Sequence, residues 1–108
     1  MAGQLTRGSV HWIQLESKKR PGLILTREAG IPLLNHVTVV PTTTTIRDIP
    51  TEVKLTAEEG MPETCVLNCD HVVTVPKSRV KEKIMELEES QLAEVKSSLL
   101  FALGWDYQ

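Results

Sequence analysis

The stretch "HVTVVPTTTTIRDIPTEVKLT", residues 36–56, decides the fold. Its first part is a run of β-branched residues reaching Thr44, the composition of a strand that fits a pleated, half-buried surface. In its second part Pro50 precedes a clean alternation, with Val53 and Leu55 on one face and Glu52 and Lys54 on the other. Alternation of period two marks a strand with one solvated side, and a proline at the first position costs no ladder bond. The sequence therefore predicts a strand over 36–44 and a half-exposed, peripheral strand over 50–56. Four consecutive threonines are more than a turn needs. In a strand Thr43 and Thr45 share one side, and Thr42 and Thr44 the other, so only one pair can face a given site.

Working outward, "SVHWIQL" (9–15) and "PGLILTR" (21–27) read as two strands joined through the polar "ESKKR", a hairpin. Gly30, Pro32 and Asn35 break the chain before the central strand. Beyond it, "EEGMPE" is a turn, and "TCVLNCDHVVTV" (64–75) is extended and long enough to bend or to split around Asp70. "KSRVKEKIMEL" predicts a helical turn near 77–80 followed by a short last strand. From Glu88 the period becomes helical. Leu92, Val95, Leu99, Ala102 and Leu103 form one apolar stripe, Glu88, Glu89 and Glu94 lie toward the N-terminal end, where the helix dipole favours carboxylates, and Gly104 is a natural stop. Leu100 and Phe101 fall off the stripe, so the helix carries apolar surface to spare, as a dimer interface would. The expected class is mainly β (α+β): a small, strongly bent antiparallel sheet or barrel with a C-terminal amphipathic helix packed on it.

Composition agrees. A chain of 108 residues, 41% apolar and 24% charged, has the profile of one compact domain over 1–108. No apolar run approaches the ~18 residues of a membrane span, and "MAGQLTRGS" lacks the apolar core of a secretion signal, so a cytoplasmic location without membrane contact is expected. The net charge of −2 offers polyanions no global attraction, and any nucleic-acid binding must come from a local patch. Lys18, Lys19 and Arg20 make one such patch; Lys77, Arg79, Lys81 and Lys83 make another that reads mostly as a solvated face. Cys65 and Cys69, four residues apart on extended chain, are separated by roughly 13 Å, too far for a disulfide. The same spacing argues against a metal shared by Cys65, Cys69 and His71.

The sequence holds no Gly-x-Ser-x-Gly elbow, glycine-rich phosphate loop or paired-histidine motif, which removes the common hydrolase and nucleotide-binding readings. What remains is Arg20 at the mouth of a strand, where Pro21 fixes the backbone and the guanidinium can present a planar fork to phosphate, together with the hydroxyl run and Asp70. Asp70 could be a turn residue, a partner for an arginine or a general base.

Taken in order, these elements resemble the MazF/PemK family of toxin endoribonucleases, the toxin halves of type II toxin–antitoxin pairs. The resemblance covers about residues 7 to 104 and rests on "RG" before an apolar strand (Arg7, Gly8), "RP" with an aliphatic strand (Arg20 to Leu25), the "VVP-x-TT" strand (Val39 to Thr44), "CD" followed by "TV" (Cys69, Asp70, Thr74, Val75) and the closing helix. It implies a cytoplasmic homodimer of the MazF/CcdB fold type, cleaving single-stranded RNA at short motifs without metal or other cofactor and neutralised by a MazE-like antitoxin. In such enzymes the ribose 2′-hydroxyl attacks the adjacent phosphate, leaving a 2′,3′-cyclic phosphate and a 5′-hydroxyl. The family's catalytic arginine falls on Arg20 and its catalytic threonine on Thr43, because the slot after "VVP", usually aliphatic or cysteine, holds Thr42 here. Lys18, Lys19, Thr44, Thr45 and Asn68 are the further RNA contacts this implies. Asp70 matches an aspartate that some members use, but where they carry an arginine two residues earlier this chain has Asn68. The first loop is short, and the base is left open among Glu16, His11 and Asp70. A rival of another class is a CcdB-like toxin that binds DNA gyrase without cutting RNA; a blander one is a decayed toxin kept as a binding module.

Overall fold

A computed structural model describes residues 5–105. Seven strands, β1 (Ser9–Leu15), β2 (Lys18–Ile24), β3 (His36–Thr43), β4 (Glu52–Leu55), β5 (Cys65–Asn68), β6 (Val73–Pro76) and β7 (Val80–Glu86), form one antiparallel sheet, followed by helix α1 (Glu89–Leu103). The order is β4-β5-β3-β2-β1-β7, with β6 also on β3. The long central strand causes the curl. Its first half pairs with β6 (Val37 opposite Val75), whereas its end pairs with β5 (Thr42 opposite Leu67), so the sheet bends where β3 changes partner. Register shifts between β1 and β7 around His11 add a second bend at the other edge.

Successive residues of the central strands feed two cores. Leu23, Val40, Val53, Leu55, Leu67 and Leu87 pack under α1 through Val95, with Leu92, Leu99 and Ala102 alongside. Ile13, Ile24, Val37, Val39, Val75 and Val80 fill the other side with Ile31. Both faces of the sheet are thus occupied, which is why "VTVVP" and "GLIL" are almost continuously apolar.

Several expectations are refined. The hairpin loop is only Glu16–Ser17, because Leu15 already pairs with Lys18; Lys18, Lys19 and Arg20 are strand residues, not loop residues. The extended segment 64–75 is interrupted by a 3-10 turn at Cys69–His71, held by Asn68 Oδ1 accepting from the Asp70 N–H. The helical turn after Pro76 is the 3-10 segment Lys77–Arg79, and β7 behind it is longer than the short strand expected. The helix begins one residue late, since Glu88 is its cap, paired with Gln91 in a capping box, and it stops at Gly104 with φ +79. Leu103 departs from the predicted stripe: it is 61% exposed, while its neighbour Ala102 still packs against the core with Leu92 and Leu99.

Candidate nucleic-acid interface

Arg20 sits where β2 leaves its pairing with β3. The last β2–β3 pair is Gly22 opposite Pro41, and Pro41 has no N–H to extend the ladder. Thr42 supplies the missing donor: its Oγ1 donates to the Pro21 carbonyl at 2.9 Å, and its own carbonyl accepts from Arg20 Nη1 at 3.2 Å. Thr42 is itself buried. A neutral backbone acceptor fixes one corner of the guanidinium and leaves its charge and its other donors free for an anion.

Thr43, the last residue of β3, is half-buried, and its Oγ1 accepts from the Thr45 N–H at 3.1 Å. With a lone pair so engaged, the hydroxyl proton is left to donate outward. The four threonines therefore differ. Thr42 is a buried strut, Thr43 a presented donor and Thr44 an exposed lining residue, while Thr45 gives a backbone N–H and is absent from the lining of the cleft.

Around these groups lies a cleft of about 370 Å³, lined by Lys18, Lys19 and Arg20 from β2, Thr42, Thr43 and Thr44 from β3, Trp12 from β1, and Pro62, Glu63 and Cys65 at the entry to β5. A second cleft, about 470 Å³, shares Lys18 and Arg20 and is completed by Glu16, Ser17, Val73, Val75 and Arg79. Lys18 and Arg20 border both, so the two make one basic groove. Sequence reasoning missed Trp12, Glu63 and Arg79. Trp12 read only as a strand residue and Glu63 only as part of a turn. Arg79 belonged to a charge run that reads mostly as a solvated face: Lys77 donates to the Ile31 carbonyl, Lys81 to that of Ser78, Lys83 pairs with Glu86 at 2.6 Å, and Arg79 Nη1 itself donates to the Gln14 carbonyl at 3.4 Å, beside the groove.

Of the candidate bases, Glu16 is brought to the groove with Arg20. His11 is not: it is fully buried, with Nδ1 against the Lys81 carbonyl at 3.0 Å and Nε2 against Ser9 Oγ at 3.0 Å, and burial holds its pKa below the usual 6.5. A ring so enclosed cannot reach an RNA hydroxyl, and His11 leaves the set. Asp70 accepts from Thr51 Oγ1 at 2.7 Å and, like Asn68, lines neither part of the groove. Cys65 and Cys69 are buried free thiols, pushed up by desolvation, Cys69 to about 11, and both are protonated at neutral pH.

A family profile described as a PemK-like, MazF-like toxin of type II toxin-antitoxin systems matches residues 6–103. The chain belongs to this family. It is 42% identical over 99 residues to endoribonuclease MazF3 of Mycobacterium tuberculosis, spanning 89% of this chain and 94% of the relative. It is 32% identical over 101 residues to the probable endoribonuclease MazF2 of the same organism, covering 93% and 99% of the two chains. Among solved structures, the M. tuberculosis toxin MazF-mt6 superposes with a TM-score of 0.85 at 38% identity, covering 92% of this chain and 99% of that one. A mycobacterial endoribonuclease in complex with its cognate antitoxin matches at 0.85 and 26% identity, covering 97% and 100%. The curled sheet with one terminal helix is thus the MazF fold, and no helix among the described residues is long and apolar enough to cross a membrane.

Proposed function

We propose that this MazF-family endoribonuclease toxin cleaves single-stranded RNA within the basic groove by attack of a ribose 2′-hydroxyl on the adjacent phosphate, giving 2′,3′-cyclic phosphate and 5′-hydroxyl ends and so arresting translation and growth. The carrying observation is the juxtaposition of Arg20, tethered by one neutral acceptor, with the outward hydroxyl of Thr43 in a single cleft. Arg20 holds the phosphate and stabilises the charge that builds on its oxygens; Thr43 donates one further hydrogen bond to it. Arg20 stays charged throughout and is no proton donor. Lys18, Lys19 and Arg79 track the backbone on either side, and Trp12 offers a face on which a base can stack. No step needs a metal.

The same reading makes the protein a single-domain cytoplasmic homodimer whose apolar surplus on α1, Phe101 and Leu103 included, faces a partner, and whose groove is closed by a MazE-like antitoxin. Family membership favours this over a CcdB-like gyrase poison, and so does the groove, since an arginine and a hydroxyl lining one cleft beside two lysines suit a phosphate chain better than a protein surface. Purified protein in EDTA, given a broad pool of single-stranded RNA, is expected to produce cyclic-phosphate ends. Arg20→Ala and Thr43→Ala should each lower the rate by at least about 100-fold, the usual cost of one transition-state donor, while the fold stays intact. Intact RNA alongside inhibited gyrase would refute the proposal.

A further inference from the structure

The groove built to hold a polyanion also contains a carboxylate. Glu63 lines the same cleft as Arg20, Thr43 and the two lysines of β2. Among the described residues it is the only acidic side chain lining that cleft; Glu16 borders the adjoining part of the groove, where Thr43 does not reach, Asp70 is bonded to Thr51 outside it, and His11 is enclosed. An exposed carboxylate facing RNA phosphate weakens binding, so its presence among Lys18, Lys19 and Arg20 calls for a chemical reason. The loop that carries it is anchored at both ends by buried residues, Met61 and Cys65, which keeps Glu63 beside the strand ends.

We propose that Glu63 is the general base of the reaction, an assignment that rests on the RNA-cleaving mechanism above. The Glu63 carboxylate takes the proton of the ribose 2′-hydroxyl as the 2′-oxygen–phosphorus bond forms. The bond from phosphorus to the 5′-oxygen breaks, and that oxygen leaves with a proton from solvent water. Glu63 then returns its proton to solvent, so atoms and charge balance over the turnover. Arg20 and Thr43 carry the phosphoryl charge; the carboxylate handles only the nucleophile's proton.

This role predicts opposite signs for binding and chemistry. Glu63→Gln removes a negative charge from the groove, and the dissociation constant of a non-cleavable 2′-deoxy-substituted RNA should stay the same or tighten. Single-turnover cleavage of the all-ribose RNA should nevertheless fall by about 100-fold or more, the usual weight of a positioned base. Glu63→Asp should recover part of the rate. A purely electrostatic carboxylate would give tighter binding and undiminished cleavage, which overturns the assignment. So does a loss of rate that follows Glu16→Gln instead. Wild-type protein that fails to make cyclic-phosphate ends overturns the underlying mechanism, and it is distinguished from failure of the Glu63 assignment because it is read before any substitution.

Discussion

Thr42 and Thr43 are neighbours of identical chemistry placed in opposite roles by the end of one strand. Thr42 faces inward and replaces the ladder donor that Pro41 lacks. Thr42→Val keeps the volume but leaves the Pro21 carbonyl without its partner, and should cost about 1–2 kcal/mol of stability, read as a lower midpoint in urea. Its carbonyl remains to tether Arg20, so cleavage by Thr42→Val should stay within about tenfold of wild type. Thr43→Val is expected to do the reverse, leaving stability within about 0.5 kcal/mol of wild type because the side chain is half-exposed, while cleavage falls at least about 100-fold. Equal behaviour of the two variants would show that the assignment of strut and donor is wrong. The resemblance to a known toxin family separated these two threonines; the strand pattern alone could not, because alternation pairs Thr43 with Thr45 and is silent on where β3 ends.

At the scale of elements, the β1–β2 hairpin does most to shape the groove. Glu16 takes φ +46 in a two-residue loop, a conformation that L residues adopt at some cost, and this tightness brings Lys18 into β2 and onto the same face as Arg20. A Cβ on Gly22, two residues on, would lie 2.8 Å from Ile13 Cγ1, so Gly22→Ala should overpack the sheet beside Arg20 and cost about 1–3 kcal/mol, measured by denaturant unfolding. The strands and the helix were legible because their apolar periods are long and clean. The loop length was not, because "ESKKR" is polar throughout and polarity does not distinguish a loop from an exposed strand start. The split of 64–75 at Asp70 was legible only as an option, since what selects it is the exchange of partner on β3, a contact between residues far apart in sequence. Glu63 escaped for the same reason, being far from Arg20 in sequence, whereas Trp12 escaped because its place opposite Pro21 follows from the hairpin register, which the unread loop length sets.

The whole molecule is acidic, yet it keeps a basic groove, so its RNA affinity should fall steeply with salt through a few local contacts. Its stability should also depend on pH through His11. The folded ring is held below 6.5 mainly by desolvation, with Lys83 in the same direction and the Lys81 carbonyl and Glu86 opposing. Below 6.5 the unfolded chain binds a proton that the fold resists, so this contribution to stability is present at pH 7 and is lost as pH falls. Unfolding midpoints measured from pH 7.5 to 5 should drop less for His11→Gln than for wild type. The central claim, that one groove joins a phosphate-holding Arg20 to a presented Thr43 for metal-independent cleavage, is tested most directly by mapping the ends left on single-stranded RNA in EDTA. Wild type should leave 2′,3′-cyclic phosphate and 5′-hydroxyl ends, and Arg20→Ala and Thr43→Ala should make them at least about 100-fold more slowly; cleavage at the wild-type rate in both variants, or RNA left intact by the wild type, would contradict the reading.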